Sequence, residues 1–292
     1  MTALSYAVVT PARDEAANLG RLHAALAAQT QPPAAWVVVE DASTDGTAAL
    51  LAELAAAHAW VRPVRRAAAL AVGLENGRRE GRAFDGFRAG VDALSHPVGV
   101  VIKVDADVDF VPDYCERLVA RFASDPALAI ASGTCLEREQ GRWVRRTKAD
   151  STVWGASRAY RWDSLPDVMA LEPRMGWDGL DELGAQLRGG TTETFLDLPF
   201  RHHRPEGGRE RSALHHGEAL GRASWYMGYR PSFLALRAIY RARSQPAALA
   251  MLWGYAIAAA RREPRCGDAR LVGALRHRQR LRVALRRGAP AS

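Results

Sequence analysis

The chain has 292 residues, 48% of them hydrophobic and 25% charged, with 25 Gly and 15 Pro. That profile is globular and excludes a disordered or collagen-like chain, and a chain this long buries enough surface to hold a core without disulfide or metal staples. The net charge of +8 sits in residues 261–292, where ten arginines face two acidic residues, so residues 1–260 are balanced, which argues against a basic nucleic-acid groove across the body.

Cys115, Cys135 and Cys266 stand at unrelated spacings that fit neither a disulfide framework nor a C-x-x-C motif, which points to a reducing, cytoplasmic setting. The chain enters residues 6–9 without a charged n-region or a signal-type apolar core. No segment reaches the roughly 18 apolar residues of a spanning helix. The nearest, 247–260, is closed by Arg261 and Arg262.

Residues 6–9 read as a buried strand, followed by the turn Thr10-Pro11-Ala12-Arg13-Asp14-Glu15. A helix comes next, with Asn18 as its cap and Leu19, Leu22 and Leu26 as its apolar stripe, until Pro32 and Pro33 end it. Residues 36–39 form a second strand running into Glu40-Asp41, and the turn 43–47 caps a helix through His58. Strand, helix, strand, helix is the pattern of a parallel α/β sheet.

Residues 62–82 read as a short strand plus loop, 83–93 as a helix, and 98–104 as a continuous apolar strand ending in Asp105-Ala106-Asp107. Then follow a helix at 115–123, a strand at 127–132, an Arg-rich hairpin within 133–152, and a strand at 194–200 leading to Arg201-His202-His203-Arg204. Residues 1–207 are taken as one domain and 208–292 as a helical, Arg-rich appendage, either packed on that domain or lying in a membrane interface.

In an open parallel sheet, ligands bind beyond the carboxyl ends of the strands. Three ends are informative: the 10–15 turn, Glu40-Asp41-Ala42-Ser43, and Asp105-Ala106-Asp107. Acidic groups on one edge repel phosphates unless a divalent cation sits between them. Carboxylate oxygens favour Mg²⁺ or Mn²⁺.

T-P-A-R-x-E, V-E-D-A-S-T-D-G-T, an apolar strand into D-A-D, and then W-G-A-S and G-W-D-G-L-D-E occur here in order. Over residues 4–205 the chain thus resembles the inverting family-2 glycosyltransferases of the GT-A fold. The resemblance implies a Rossmann-like, open, mostly parallel sheet flanked by helices. It also implies metal-dependent transfer, with inversion, of a sugar from a UDP- or GDP-linked donor to an acceptor hydroxyl. Pro11, Arg13 and Glu15 would border the nucleotide and Asp41 would take the base edge. Lys103 would meet the donor phosphate or form a salt bridge. Asp107 would be the direct metal ligand, with Asp105 beside the ion and nearer the sugar or ribose.

The family's base stands near a helix start, about eleven residues before a glycine. Asp178 has that offset to Gly189, with Trp177 in the place of the family's Glu, and Asp181-Glu182 one turn on is the alternative. A histidine after the next strand, His203 or His202, would complete the metal shell, and Trp154-Gly155-Ala156-Ser157 would floor the donor sugar. Each position also has a plain reading: Asp41 as a helix cap, Arg13 and Glu15 as a surface pair, Asp178 as the cap of the following helix and Asp181 as an acid of its first turn.

Family and tail together imply a saccharide or lipid-linked acceptor in cell-surface polysaccharide or glycolipid assembly, with no nucleic acid partner. The enzyme would be cytoplasmic and reach the cytoplasmic membrane face through its basic tail. A nucleotidyltransferase is disfavoured because the loop after strand one has no glycine, and a dinucleotide oxidoreductase because no G-x-G-x-x-G follows it. A non-catalytic sugar-nucleotide-binding scaffold stays open through the Trp177 substitution.

Overall fold

The computed structural model describes residues 4–66, 78–146, 153–204 and 213–280. They form two compact units, one of residues 4–66, 82–146, 153–170 and 185–204, the other of 78–81, 171–184 and 213–280. The helical unit therefore draws 171–184, with Asp178 and Asp181, from the stretch that the sequence assigns to 1–207.

The first unit opens with β1 (Tyr6–Ala12), α1 (Ala16–Ala27), β2 (Ala35–Glu40), α2 (Thr47–Ala57), β3 (Val61–Arg65), α3 (Arg78–Asp92) and β4 (Val100–Val104). β2 and β4 are buried at every residue, as parallel strands covered on both faces must be. Then come β5 (Val108–Phe110), α4 (Tyr114–Ser124), β6 (Leu128–Glu139), β7 (Arg142–Arg145), β8 (Ser157–Arg161), α5 (Leu165–Met169), α6 (Trp177–Leu187), whose residues 177–184 belong to the second unit, and β9 (Thr191–His202).

Among the described residues nine strands make one sheet in the order β3-β2-β1-β4-β8-β6-β9-β5, with β7 on β6. β3, β2, β1 and β4 are mutually parallel, and β6 is parallel to β9. β8 runs antiparallel to β4 and β6, β5 to β9, and β7 to β6. This is the expected α/β architecture, a mostly parallel sheet flanked by helices.

Local chemistry shifts several boundaries. Asn18 does not cap α1; the helix starts at Ala16, and Asn18 Nδ2 donates to Glu15 Oε2 at 2.7 Å. At α2 the backbone N–H of Thr47 donates to Asp45 Oδ1 at 2.9 Å. β6 runs twice as far as read from sequence because Gly133 lets β9 approach: a Cβ there would lie 2.0 Å from the Leu198 carbonyl oxygen. The register with β9 shifts at the same point. The expected hairpin is β6–β7, turning at Gln140 and Gly141, both at positive φ as a tight hairpin turn requires. Residues 67–77 of the predicted strand and loop, and 147–152 beyond the hairpin, lie outside the described residues.

β8 escapes the apolar pattern because two of its five residues are arginines. Both are satisfied inside: Arg158 Nη1 donates to Val153 O at 2.7 Å, and Arg161 donates to the carbonyls of Leu128, Phe122 and Asp125 at 2.7–2.9 Å.

In the second unit, α7 (Ala213–Tyr226), α8 (Pro231–Ala242), α9 (Ala250–Ala260) and α10 (Ala269–Arg278) follow the sheet. α7 and α9 touch backbone to backbone, since a Cβ on Gly254 would lie 2.0 Å from Glu218 O. Leu180 and Leu183 pack with Tyr226, Met227, Tyr229 and Leu271. No described helix is long and apolar enough to cross a membrane, and residues 281–292 of the basic run lie outside the described residues.

Candidate functional site

The loops after β1 and β2 are stitched together. Asp14 Oδ1 accepts from the Thr44 backbone N–H at 2.7 Å, the Asp14 N–H donates to Ser43 Oγ at 3.1 Å, and the Ala16 N–H donates to Asp45 Oδ2 at 3.1 Å. Both loops turn through left-handed residues, Asp14 and Ala42, each at φ 54°. Asp41 is buried, its N–H bonded to Ala12 O at 2.9 Å and its carboxylate 4.0 Å from Arg66. Pro11 lies in β1 against Gly86, where a Cβ would approach the proline Cβ to 3.0 Å. Arg13 is exposed and 3.8 Å from Asp14, a surface pair of little energetic weight.

Beyond β4, Lys103 is buried and donates to Asp105 Oδ1 at 2.5 Å and to Gly155 O at 2.9 Å. Of the two roles expected for it, the structure contains the salt bridge. Arg204 links two expected site residues, donating to Glu15 Oε2 at 2.8 Å while its Nε lies 3.0 Å from Asp107 Oδ2. Glu15 is therefore a buried ion-pair partner and not a surface one.

His202 presents Nε2 to Asp107 Oδ1 at 3.5 Å and Nδ1 to Glu137 Oε1 at 3.4 Å. Burial disfavours the Asp107 carboxylate, but hydrogen bonding and charge from His202, with Arg204, outweigh it and hold the group below its ordinary range. Burial also disfavours the His202 cation. Asp107, Cys135 and Glu137 overcome this and push the imidazole up to about 12.

Asp105, Asp107 and His202 each offer a ligand atom, all within 4.8 Å of one another. Two carboxylates and an imidazole suit Mn²⁺ or Mg²⁺ provided the ion displaces the proton that His202 carries beside Asp107, and on that condition the residues fit the implied ion. A second set, Cys135, Glu137 and His202, meets the same distance limit. His203 is not brought to the acid pair: its Nε2 lies 2.6 Å from Asp109 Oδ2, and its ring stands edge-on to Trp143. β9 ends at His202, and His203, one residue past it, turns to Asp109 and not to the Asp105–Asp107 pair.

Asp178 lies half-buried in the first turn of α6. Asp181 is 2% exposed and accepts from the Glu182 N–H at 2.6 Å, and Glu182 is buried. The glycine that sets the offset has a structural reason: Gly189 takes φ 86° just past the end of α6, the left-handed position that closes helices. Arg204, Glu137 and Arg66 were missed as site residues. The Arg-His-His-Arg run flagged the first; nothing local flags the other two.

A mostly parallel α/β sheet carrying an acid pair just past β4 defines the GT-A class of glycosyltransferases. Within that class the chain matches glycosyl transferase family 2 over residues 7–174 and belongs to that family. None of the curated proteins matches the chain in sequence.

Among solved structures it is similar to the mannosyltransferase PcManGT from Pyrobaculum calidifontis in complex with GDP-Man and Mn²⁺, at 19% identity and TM-score 0.59, covering 98% of this chain and 85% of that one. TarS 1–349 of S. aureus in complex with UDP-GlcNAc aligns at 15% identity and TM-score 0.55, covering 75% of this chain and 65% of that one. GalNAc-T7 with UDP, GalNAc and Mn²⁺ aligns at 16% identity and TM-score 0.58, covering 84% and 52%. The chain thus spans less than two thirds of the TarS and GalNAc-T7 chains.

Proposed function

We propose that the protein is a metal-dependent, inverting hexosyltransferase that moves a sugar from a UDP- or GDP-linked donor to an acceptor hydroxyl. The observation that carries this reading is the Asp105, Asp107 and His202 set, with ligand atoms within 4.8 Å, at the end of β4 in a family-2 chain. Mn²⁺ and GDP-Man in PcManGT, and Mn²⁺ and UDP in GalNAc-T7, support the same kind of donor and ion here.

When bound, the ion would supply charge neutralisation for the donor diphosphate and the departing nucleotide. Asp105, Asp107 and His202 would hold it. Lys103 fixes Asp105, and Arg204 fixes Asp107 against Glu15. Asp41 would take the base edge, with Pro11 and Arg13 bordering the nucleotide. Asp178 would remove the acceptor proton as the oxygen attacks the anomeric carbon, a single displacement that inverts configuration. Burial of Asp181 makes it the weaker candidate.

Residues 1–207 would form the transferase domain and 208–292 its appendage. The acceptor is a saccharide or lipid-linked hydroxyl in cell-surface polysaccharide or glycolipid assembly at the cytoplasmic membrane face. The basic run at 261–292 supports this, since each basic residue near an anionic leaflet contributes about 1 kcal/mol.

The test is thermal stabilisation by UDP, GDP, CDP and ADP with and without Mn²⁺, because ligands that bind the folded state raise its melting temperature. A Mn²⁺-dependent shift with one diphosphate, together with slow hydrolysis of the matching sugar donor, is expected. A shift without hydrolysis would favour a binding scaffold; no shift with any diphosphate would overturn the donor class.

A further inference from the structure

Helices α8 and α9 each bury one stripe and leave a second apolar stripe in water. On α8, Leu234 and Ala238 are buried, while Leu236, Ile239 and Tyr240 are exposed, the last two at 58% and 67%. On α9, Met251, Gly254 and Ala258 are buried, while Leu252 and Trp253 are exposed, Trp253 at 64%, with Leu249 exposed just ahead of the helix. Spacings of three and four residues put each exposed set on one helix face. The buried stripes meet in a cluster of Leu234, Ala238 and Met251, so the two helices are neighbours. Single exposed apolar residues are ordinary on a protein surface, but contiguous groups mark interaction sites.

Charge decides the occupant. From Arg230 to Arg262 the sequence has six arginines and no Asp or Glu. Arg243, Arg261 and Arg262 are exposed, and the Arg243 guanidinium lies 5.7 Å from the Tyr240 ring centre. A second copy docked on this face would set arginines against arginines. An anionic bilayer takes them at its headgroups, with the apolar side chains just below and Tyr and Trp at the boundary that suits an apolar ring with a polar tip.

We infer that the outer faces of α8 and α9 form a docking surface for anionic lipid, lying in the interface without crossing the bilayer. Arg261 and Arg262 also begin the terminal basic run, but the exposed apolar residues of α8 and α9 lie ahead of that run, and the inference stands independently of the sugar-transfer reading.

Co-sedimentation of the full chain with phosphatidylglycerol/phosphatidylcholine vesicles, and with phosphatidylcholine alone, tests it. Binding to the anionic vesicles is expected. The triple variant Ile239→Ser, Tyr240→Ser, Trp253→Ser should lower partitioning about tenfold or more at unchanged melting temperature. Trp253→Ser alone should give a smaller loss and keeps the test readable if the triple variant misfolds. Equal partitioning of wild type and variants, or no binding to anionic vesicles, would overturn the inference. Self-association that the triple variant abolishes would assign the face to a second copy instead. Donor hydrolysis without vesicles reports on the proposed function and leaves this result untouched.

Discussion

His202 is held from behind by Glu137: its Nδ1 lies 3.4 Å from Glu137 Oε1 while its Nε2 faces Asp107. A carboxylate only accepts, so with both acids ionised both ring nitrogens carry protons; a bound ion would take the place of the Nε2 proton, and the Nδ1–H would stay on Glu137. Glu137 is itself fixed by Arg146, whose Nε donates at 2.7 Å. Partners of this kind behind a ligating histidine typically change metal affinity about 10- to 100-fold. Glu137→Gln is therefore expected to weaken Mn²⁺ binding about tenfold or more, read by Mn²⁺ titration, and to have no further effect in a His202→Ala background. An equal loss in both backgrounds would assign Glu137 to the fold instead of to His202.

The two candidate bases differ in their surroundings. Asp178→Asn should leave nucleotide binding intact and lower transfer by about 10²- to 10⁴-fold, the range for losing a general base. Asp181 is buried, so Asp181→Asn should act mainly on stability and lower the melting temperature. Measuring kcat and melting temperature for both variants separates the roles. Transfer that survives at position 178 and fails at 181 would move the base one turn along α6.

Ala42 sits at φ 54° in the loop after β2, where an L-residue pays roughly 1–2 kcal/mol that glycine does not. The loop is also tied to the β1 loop through Ser43 and Thr44, so it cannot relax alone. Ala42→Gly should stabilise the protein by about 1 kcal/mol, and Ala42→Val should destabilise it. Calorimetric melting of both variants checks the pair; a stabilising valine would mean that the loop is not strained at this residue.

Much of the scaffold was legible because buried parallel strands write themselves as apolar runs. Val37, Val38 and Val39 and Val100, Val101 and Ile102 are such runs, and each delivers its acids to one sheet edge. What could not be read was set by partners distant in sequence. Arg158 and Arg161 look like surface residues until the carbonyls that accept their protons are known. The choice between His202 and His203 depends on the phase of β9, which is pinned by its register with β6 and that strand's slip at Gly133. Glu137 lies sixty-five residues from the histidine it holds, and no local pattern carries that distance.

The core supplies a pH limit on stability that the sequence did not suggest. Cys115 is fully buried beside Tyr6, and burial pushes its thiol from an ordinary value near 9 up to about 12. Burial raises the Tyr6 and Tyr114 hydroxyls as well, against which hydrogen bonds at Tyr114 work only in part. A group whose folded pKa lies above its unfolded value favours the fold fully below the unfolded value and loses that contribution as pH climbs toward the folded one. For Cys115 the window runs from about 9 to about 12. Melting temperature should therefore hold level from about pH 7.5 to about pH 8.5 and fall steadily above about pH 9, with a shallower fall in Cys115→Ala. The same burial predicts that alkylation of the native protein reaches Cys266, which is half-buried, and spares Cys115 and Cys135 until the chain unfolds. Modification of Cys115 in the native state at neutral pH would show the thiol to be accessible and remove the basis for the alkaline fall.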